Sequence, residues 1–112
     1  MKPVYTKIWE YTPPKPKRFE AEKETYQYFK RVIGFKGGFK LYSPVLRGLP
    51  DFVVTELQHE KLNAGFYEVK FKNNWLRPTQ EKILFELSKI APVYVVNIQV
   101  DGSLAVKQLI RF

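Results

Sequence analysis

The sequence predicts an α/β domain, a mixed β-sheet flanked by helices in the order α-β-β-β-α-β-β. Three observations predict it. Phe19 to about Ile33 and Pro78 to about Ile90 carry apolar side chains at helical spacing. Phe66 to Lys72 alternates with a period of two, the mark of a strand. Pro92 to Val100 is nearly all apolar and runs through Asp101-Gly102, a strong hairpin signal, into Leu104–Ile110.

The elements follow in order. Residues 1–18 hold Pro3, Pro13, Pro14 and Pro16, so they read as an extended or polyproline arm set apart from a domain at 19–112. Tyr5, Ile8, Trp9 and Tyr11 are too apolar for a free tail, and part of the arm is expected to dock on the domain or on a partner. The first helix presents Glu22, Thr25, Tyr26, Phe29 and Ile33 on one face. Gly37-Gly38 reads as a turn before a short strand at 39–42, and Pro44 to Pro50 as a loop leading to Asp51. Phe52 to Thr55 is a strand by β-branching, and Asn63-Ala-Gly65 is a turn. In the 66–72 strand Tyr67, Val69 and Phe71 face one way and Glu68, Lys70 and Lys72 the other. Pro78 suits the first turn of the second helix, whose buried stripe is Gln80, Ile83, Leu84 and Leu87.

At 112 residues the chain makes one domain, and its 45% hydrophobic content argues against disorder. The absence of cysteine excludes disulfides, thiolate zinc sites and a cysteine nucleophile, and it suits a reducing compartment. No run approaches the roughly 18 apolar residues of a membrane span, and Met1-Lys2-Pro3 leads into no signal core. A soluble cytoplasmic protein is expected, in a host cytoplasm if the gene is viral or plasmid-borne. The net charge of +8 favours a polyanionic partner, nucleic acid before acidic lipid. Residues 1–18 hold five cations against one acid, half of that surplus.

The chemistry gathers around Asp51, in Arg47-Gly-Leu-Pro-Asp51. Asp51 and Glu68 are hard oxygen ligands of the kind Mg²⁺ selects. Glu68 and Lys70 project from one face of a strand, about 7 Å apart along it. Alone, Asp51 is better explained as a turn residue or cap, and Glu68 with Lys70 could be a solvated strand face or a surface ion pair. Their segment is apolar, however, and a charged pair in an interior strand needs a reason. Two acids and an amine at one spot can hold a metal, activate a water and steady a phosphate. Lys15, Lys17, Arg18, Arg47, Lys72, Arg77 and Lys82 are candidate phosphate contacts, blind to sequence. Trp75 and Phe71 beside the site could stack a base, with core packing the weightier expectation.

Gly48-Leu-Pro-Asp-Phe-Val-Val54, Phe66-Tyr-Glu-Val-Lys70 and Leu76-Arg-Pro-Thr-Gln80-Glu-Lys together resemble the PD-(D/E)xK nucleases. The likeness is greatest to the virus-type replication-repair nuclease domain (VRR-NUC) and looser to archaeal Holliday junction resolvases; it spans about residues 19–100. It implies a restriction-endonuclease-like core that cuts DNA with Mg²⁺ or Mn²⁺. By that resemblance Asp51, Glu68 and the Val69 backbone carbonyl bind metal, Lys70 stabilises charge on the phosphate, and Gln80 supports the site. A glutamate of the first helix often joins such a site, and Glu20, Glu22 and Glu24 compete for that position. Glu22 is chosen because it shares the Tyr26, Phe29 and Ile33 face. The expected function is a structure-selective endonuclease on branched DNA, in one form a junction resolvase working as a homodimer. A flap, single-strand or exonuclease is the first alternative, and an inactive basic DNA-binding module the second.

Overall fold

In a computed structural model of the chain, which describes residues 3–16, 18–19 and 22–110 apart from the Glu22 side chain, eight elements follow one another. They are β1 (Val4–Tyr11), α1 (Glu22–Ile33), β2 (Phe35–Lys40), β3 (Phe52–Leu57), β4 (Gly65–Phe71), α2 (Pro78–Leu87), β5 (Val93–Ile98) and β6 (Leu104–Ile110). The strands make one sheet in the spatial order β1-β6-β5-β4-β3-β2. β4 and β5, joined through α2, pair in parallel, and the other pairings are antiparallel. The α/β class with a mixed sheet and two helices agrees with the sequence.

Alternation along β5 divides the core. Tyr94, Val96 and Ile98 join Tyr28, Phe29 and Ile33 of α1, whereas Val93 and Val95 join Leu84 of α2. Successive strand residues point to opposite faces, so the two helices cover opposite faces of the sheet. In β4, Tyr67, Val69 and Phe71 pack with the α1 cluster. That leaves Glu68 and Lys70 on the side of α2, whose first turn is thereby brought over them. Thr25, Phe29 and Ile33 are fully buried, as the helical spacing of α1 requires.

Two expectations about the sheet are corrected. The arm docks on the domain, as its apolar residues led one to expect, but as a strand of the sheet: Val4–Tyr11 forms β1 against β6, from Val4↔Ile110 to Tyr11↔Leu104. The order therefore gains a strand at its start, and a boundary at residue 18 does not divide β1 from the sheet. The prolines at 13, 14 and 16 dominate a reading of the arm, yet Val4–Tyr11 has none and is rich in β-branched and aromatic residues. A register shift between Lys7 and Trp9 marks a bulge. It lets the neighbours Ile8 and Trp9 both pack on the α1-side cluster, while Tyr5 packs on the α2 side. Secondly, Gly37-Gly38 is no turn: both residues lie inside β2, at shifts in its register with β3. Gly38 has φ 139, and a Cβ there would fall 2.2 Å from the Val53 carbonyl oxygen, so only glycine fits this bulge. Among the described residues no helix is long and apolar enough to cross a membrane.

Candidate active site

β3 and β4 share three paired positions, Phe52↔Tyr67, Val53↔Phe66 and Val54↔Gly65. Past Tyr67 the ladder stops, since Pro50 has no N–H to offer and the chain leaves the sheet. The carboxylate of Asp51 takes over the exposed edge of β4. Its Oδ2 accepts the Val69 N–H at 2.8 Å, in place of a strand carbonyl. A strand residue turns its N–H and C=O to the same edge, so the Val69 carbonyl also faces the Asp51 side. The other oxygen, Oδ1, accepts the Tyr26 hydroxyl at 3.2 Å. The Tyr26 ring rests edge-on against Phe52, and the Lys40 ammonium lies 4.6 Å from its centroid.

Glu68 is only 3% exposed, yet it is an acid. Burial first, then the hydrogen bond and the repulsion from Asp51, push its carboxyl up to about 9, against the opposing pull of Lys70. Lys70 Nζ lies 3.6 Å from Glu68 Oε2. Gln80 joins the two. Its Nε2 donates to Glu68 Oε2 at 2.6 Å, and its Oε1 accepts both Lys70 Nζ at 3.1 Å and the Arg77 N–H at 3.0 Å. With donors on one side and a carboxyl on the other, the orientation of the amide is determined by its partners. The Arg77 bond also satisfies the free N–H that precedes α2, so helix capping and site assembly use one side chain. The stripe Gln80, Ile83, Leu84, Leu87 puts that amide at the top of the buried face, with Leu84 fully buried beneath.

A pocket of about 260 Å³ opens here, lined by Arg47, Gly48, Lys70, Arg77, Thr79 and Gln80. Two of the expected phosphate contacts, Arg47 and Arg77, thus stand with Lys70 at one opening. The described ones among the others are absent from that lining. Lys72 and Lys82 are exposed and outside the pocket's lining, and Lys15 borders a different groove with Tyr28, Arg31 and Val32 of α1. Arg18 is exposed, Lys17 lies outside the described residues, and so does the side chain of Glu22. Phe71 is buried in the core, as the weightier expectation had it. Trp75 is 40% exposed and sits edge-on to Tyr5, with the Lys107 ammonium 4.9 Å from its ring.

Sequence reasoning placed Tyr26 on the core face and missed its hydroxyl at Asp51. The available signal was chemical: a tyrosine on a buried stripe needs a partner for its O–H, and the acids are few. Among the described residues no third Asp, Glu or His joins Asp51 and Glu68. Two carboxyl groups within hydrogen-bond reach and a strand carbonyl turned to the same edge suit Mg²⁺, which binds through one or two carboxylates and keeps several waters. A divalent cation would also oppose the burial and the repulsion that together hold a proton on Glu68. Comparison with protein-family models, curated proteins and solved structures finds no match to this chain.

Proposed function

We propose that this chain is a divalent-metal-dependent DNA endonuclease of the PD-(D/E)xK superfamily, built on a restriction-endonuclease-like core and nearest in its motifs to the VRR-NUC domains. One observation carries the reading: a buried acid, Glu68, lies beside Asp51 and is bridged through Gln80 to Lys70, and Gln80 and Lys70 line a pocket together with two arginines. Such an arrangement is costly for a structural role, because an acid buried next to another acid resists ionisation.

Asp51 and Glu68 would hold Mg²⁺ or Mn²⁺, with the Val69 carbonyl beside them. When bound, the cation supplies Lewis acidity and a water of lowered pKa. Lys70 reaches the pocket with its ammonium held by Gln80, where it offsets charge that grows on the phosphate oxygens. Gln80 holds Glu68 and Lys70 in register. Arg47 and Arg77 grip flanking phosphates, and Tyr26 orients the Asp51 carboxylate from the far side of the strand edge.

The favoured substrate is branched DNA. Symmetric cutting of a four-way junction needs two sites, one from each copy of so small a domain, so the resolvase form of this proposal entails a homodimer. A panel of end-labelled junction, flap, duplex and single strand, incubated with Mg²⁺, Mn²⁺ or EDTA, tests it. Metal-dependent cuts with the junction preferred are expected. Cuts confined to flaps or single strands would move the reading to another nuclease geometry, and DNA binding without cleavage at any metal would leave a binding module.

A further inference from the structure

Beside the site the chain displays an apolar surface that the core does not use. Tyr42 is 84% exposed, Val45 89% and Leu46 52%, all on the 41–50 loop between β2 and β3. Isolated exposed apolar residues are ordinary; here three within five residues concentrate apolar surface on one loop of a chain of net charge +8. The loop is also held in place. Ser43 Oγ accepts the N–H groups of Val45 and Leu46 at 3.3 and 2.9 Å, a local turn that turns the tip outward. The Leu41 N–H donates to the Asp51 carbonyl at 2.8 Å, which pins the start of the loop to a site residue. At the other end Gly48, with φ 95, lies so close to α2 that a Cβ would come 3.0 Å from Ile83 Cδ1 and 3.3 Å from the Gln80 nitrogen.

Both anchors therefore belong to the site. Cations flank the tip: Lys40 precedes it and Arg47 follows, and from Phe35 to Pro50 there is no acid. Leu46 is one residue, about 3.8 Å of chain, from Arg47 in the pocket lining. Cations on both sides of an apolar tip match a strand of nucleic acid, with phosphates outside and base faces between. Continuous duplex hides those faces in its stack, whereas a branch point, bulge or single strand offers them.

We propose that Tyr42, Val45 and Leu46 form a wedge that packs against unstacked bases next to the phosphate held at the Lys70 pocket. This rests on the nuclease reading and assigns to three loop residues the discrimination of locally opened bases from continuous duplex. The wedge acts in binding, before any chemistry.

The test uses Tyr42→Ser/Val45→Ser in the full chain, since both side chains are exposed enough to change without disturbing the core. Binding to a labelled four-way junction and to a continuous duplex of equal length is read by anisotropy in EDTA, with sedimentation of both proteins alongside. The variant should lose roughly ten-fold or more in junction affinity and keep duplex affinity. Equal losses on both, no loss on either, or a parent with no junction preference overturns the wedge. A loss that accompanies conversion of a parent dimer to monomer also overturns it, in favour of self-association through this loop. Because EDTA removes catalysis from the measurement, a chain that never cuts DNA but shows the selective loss keeps the wedge and loses the nuclease. Metal-dependent cleavage without the selective loss does the reverse.

Discussion

Replacing Glu68 by glutamine removes one ionisable proton from the centre of the site while keeping its shape. The Glu68 carboxyl is pushed from an ordinary 4.5 up to about 9 in the fold, by burial first and Asp51 next. The folded state therefore holds a proton between those values that the unfolded chain has released, so stability falls as pH rises through the window. At about 1.4 kcal/mol per pH unit, the 2.5 units between 4.5 and 7 amount to roughly 3 kcal/mol lost by neutrality. In Glu68→Gln the new oxygen can still accept from Gln80 Nε2, and the new amide can donate to Asp51 as the protonated acid does. The variant should match the parent below pH 4.5 and become the more stable protein above it, by roughly 3 kcal/mol at pH 7, or about 10 °C in melting temperature. Thermal melts of both proteins in EDTA from pH 4 to 9 read the difference, in which titrating groups away from the site cancel. Mg²⁺ should then raise the parent's melting temperature at pH 8 and leave the variant's nearly unchanged. Parallel stability curves for the two proteins across pH 5 to 9 would show that Glu68 is not a strained acid and would remove the physical basis of the site.

Lys70→Ala should lower kcat far more than DNA affinity, since it is one of 19 basic residues but its ammonium is held by Gln80 beside Glu68; weak binding with normal cutting of bound DNA would make it a phosphate anchor instead. Tyr26→Phe keeps the ring against Phe52 and deletes only the bond to Asp51, a loss of about 1 kcal/mol, so metal should bind roughly five-fold more weakly in a titration with near-parent kcat at saturation. An unchanged metal titration would return Tyr26 to the core. Deleting residues 1–11 removes β1 from the sheet, so the melting temperature should collapse before any change in the salt slope of DNA binding, to which Lys2 and Lys7 can contribute at most about two units. A truncated protein that melts like the parent but binds DNA weakly would restore the free arm.

What the sequence made legible was the set of residues whose roles are local. Pro50-Asp51, the Glu68-Val69-Lys70 alternation and the Pro78 to Gln80 helix start each carry their geometry in a few neighbouring positions, and the fold brings those pieces together as expected. Features that depend on two distant segments were not legible. β1 needs β6, a hundred residues away, to be recognised as a strand, and prolines close to it pointed elsewhere. Gly37-Gly38 serves a turn or a bulge equally well until Val53 lies against it. The Tyr26 bond crosses 25 residues, and a helical wheel shows a face but not what that face meets. In sequence the 41–50 loop reads only as a path to Asp51, because hydropathy cannot say which apolar residues a core leaves out.

Cleavage and binding of one labelled four-way junction, measured together for the parent and Asp51→Asn, test the central claim most directly. The parent should cut in Mg²⁺ or Mn²⁺ and not in EDTA, and Asp51→Asn should lose cleavage by orders of magnitude while binding the junction as the parent does. Full activity of the parent in EDTA, or parent-like cutting by Asp51→Asn in Mg²⁺, would contradict the account.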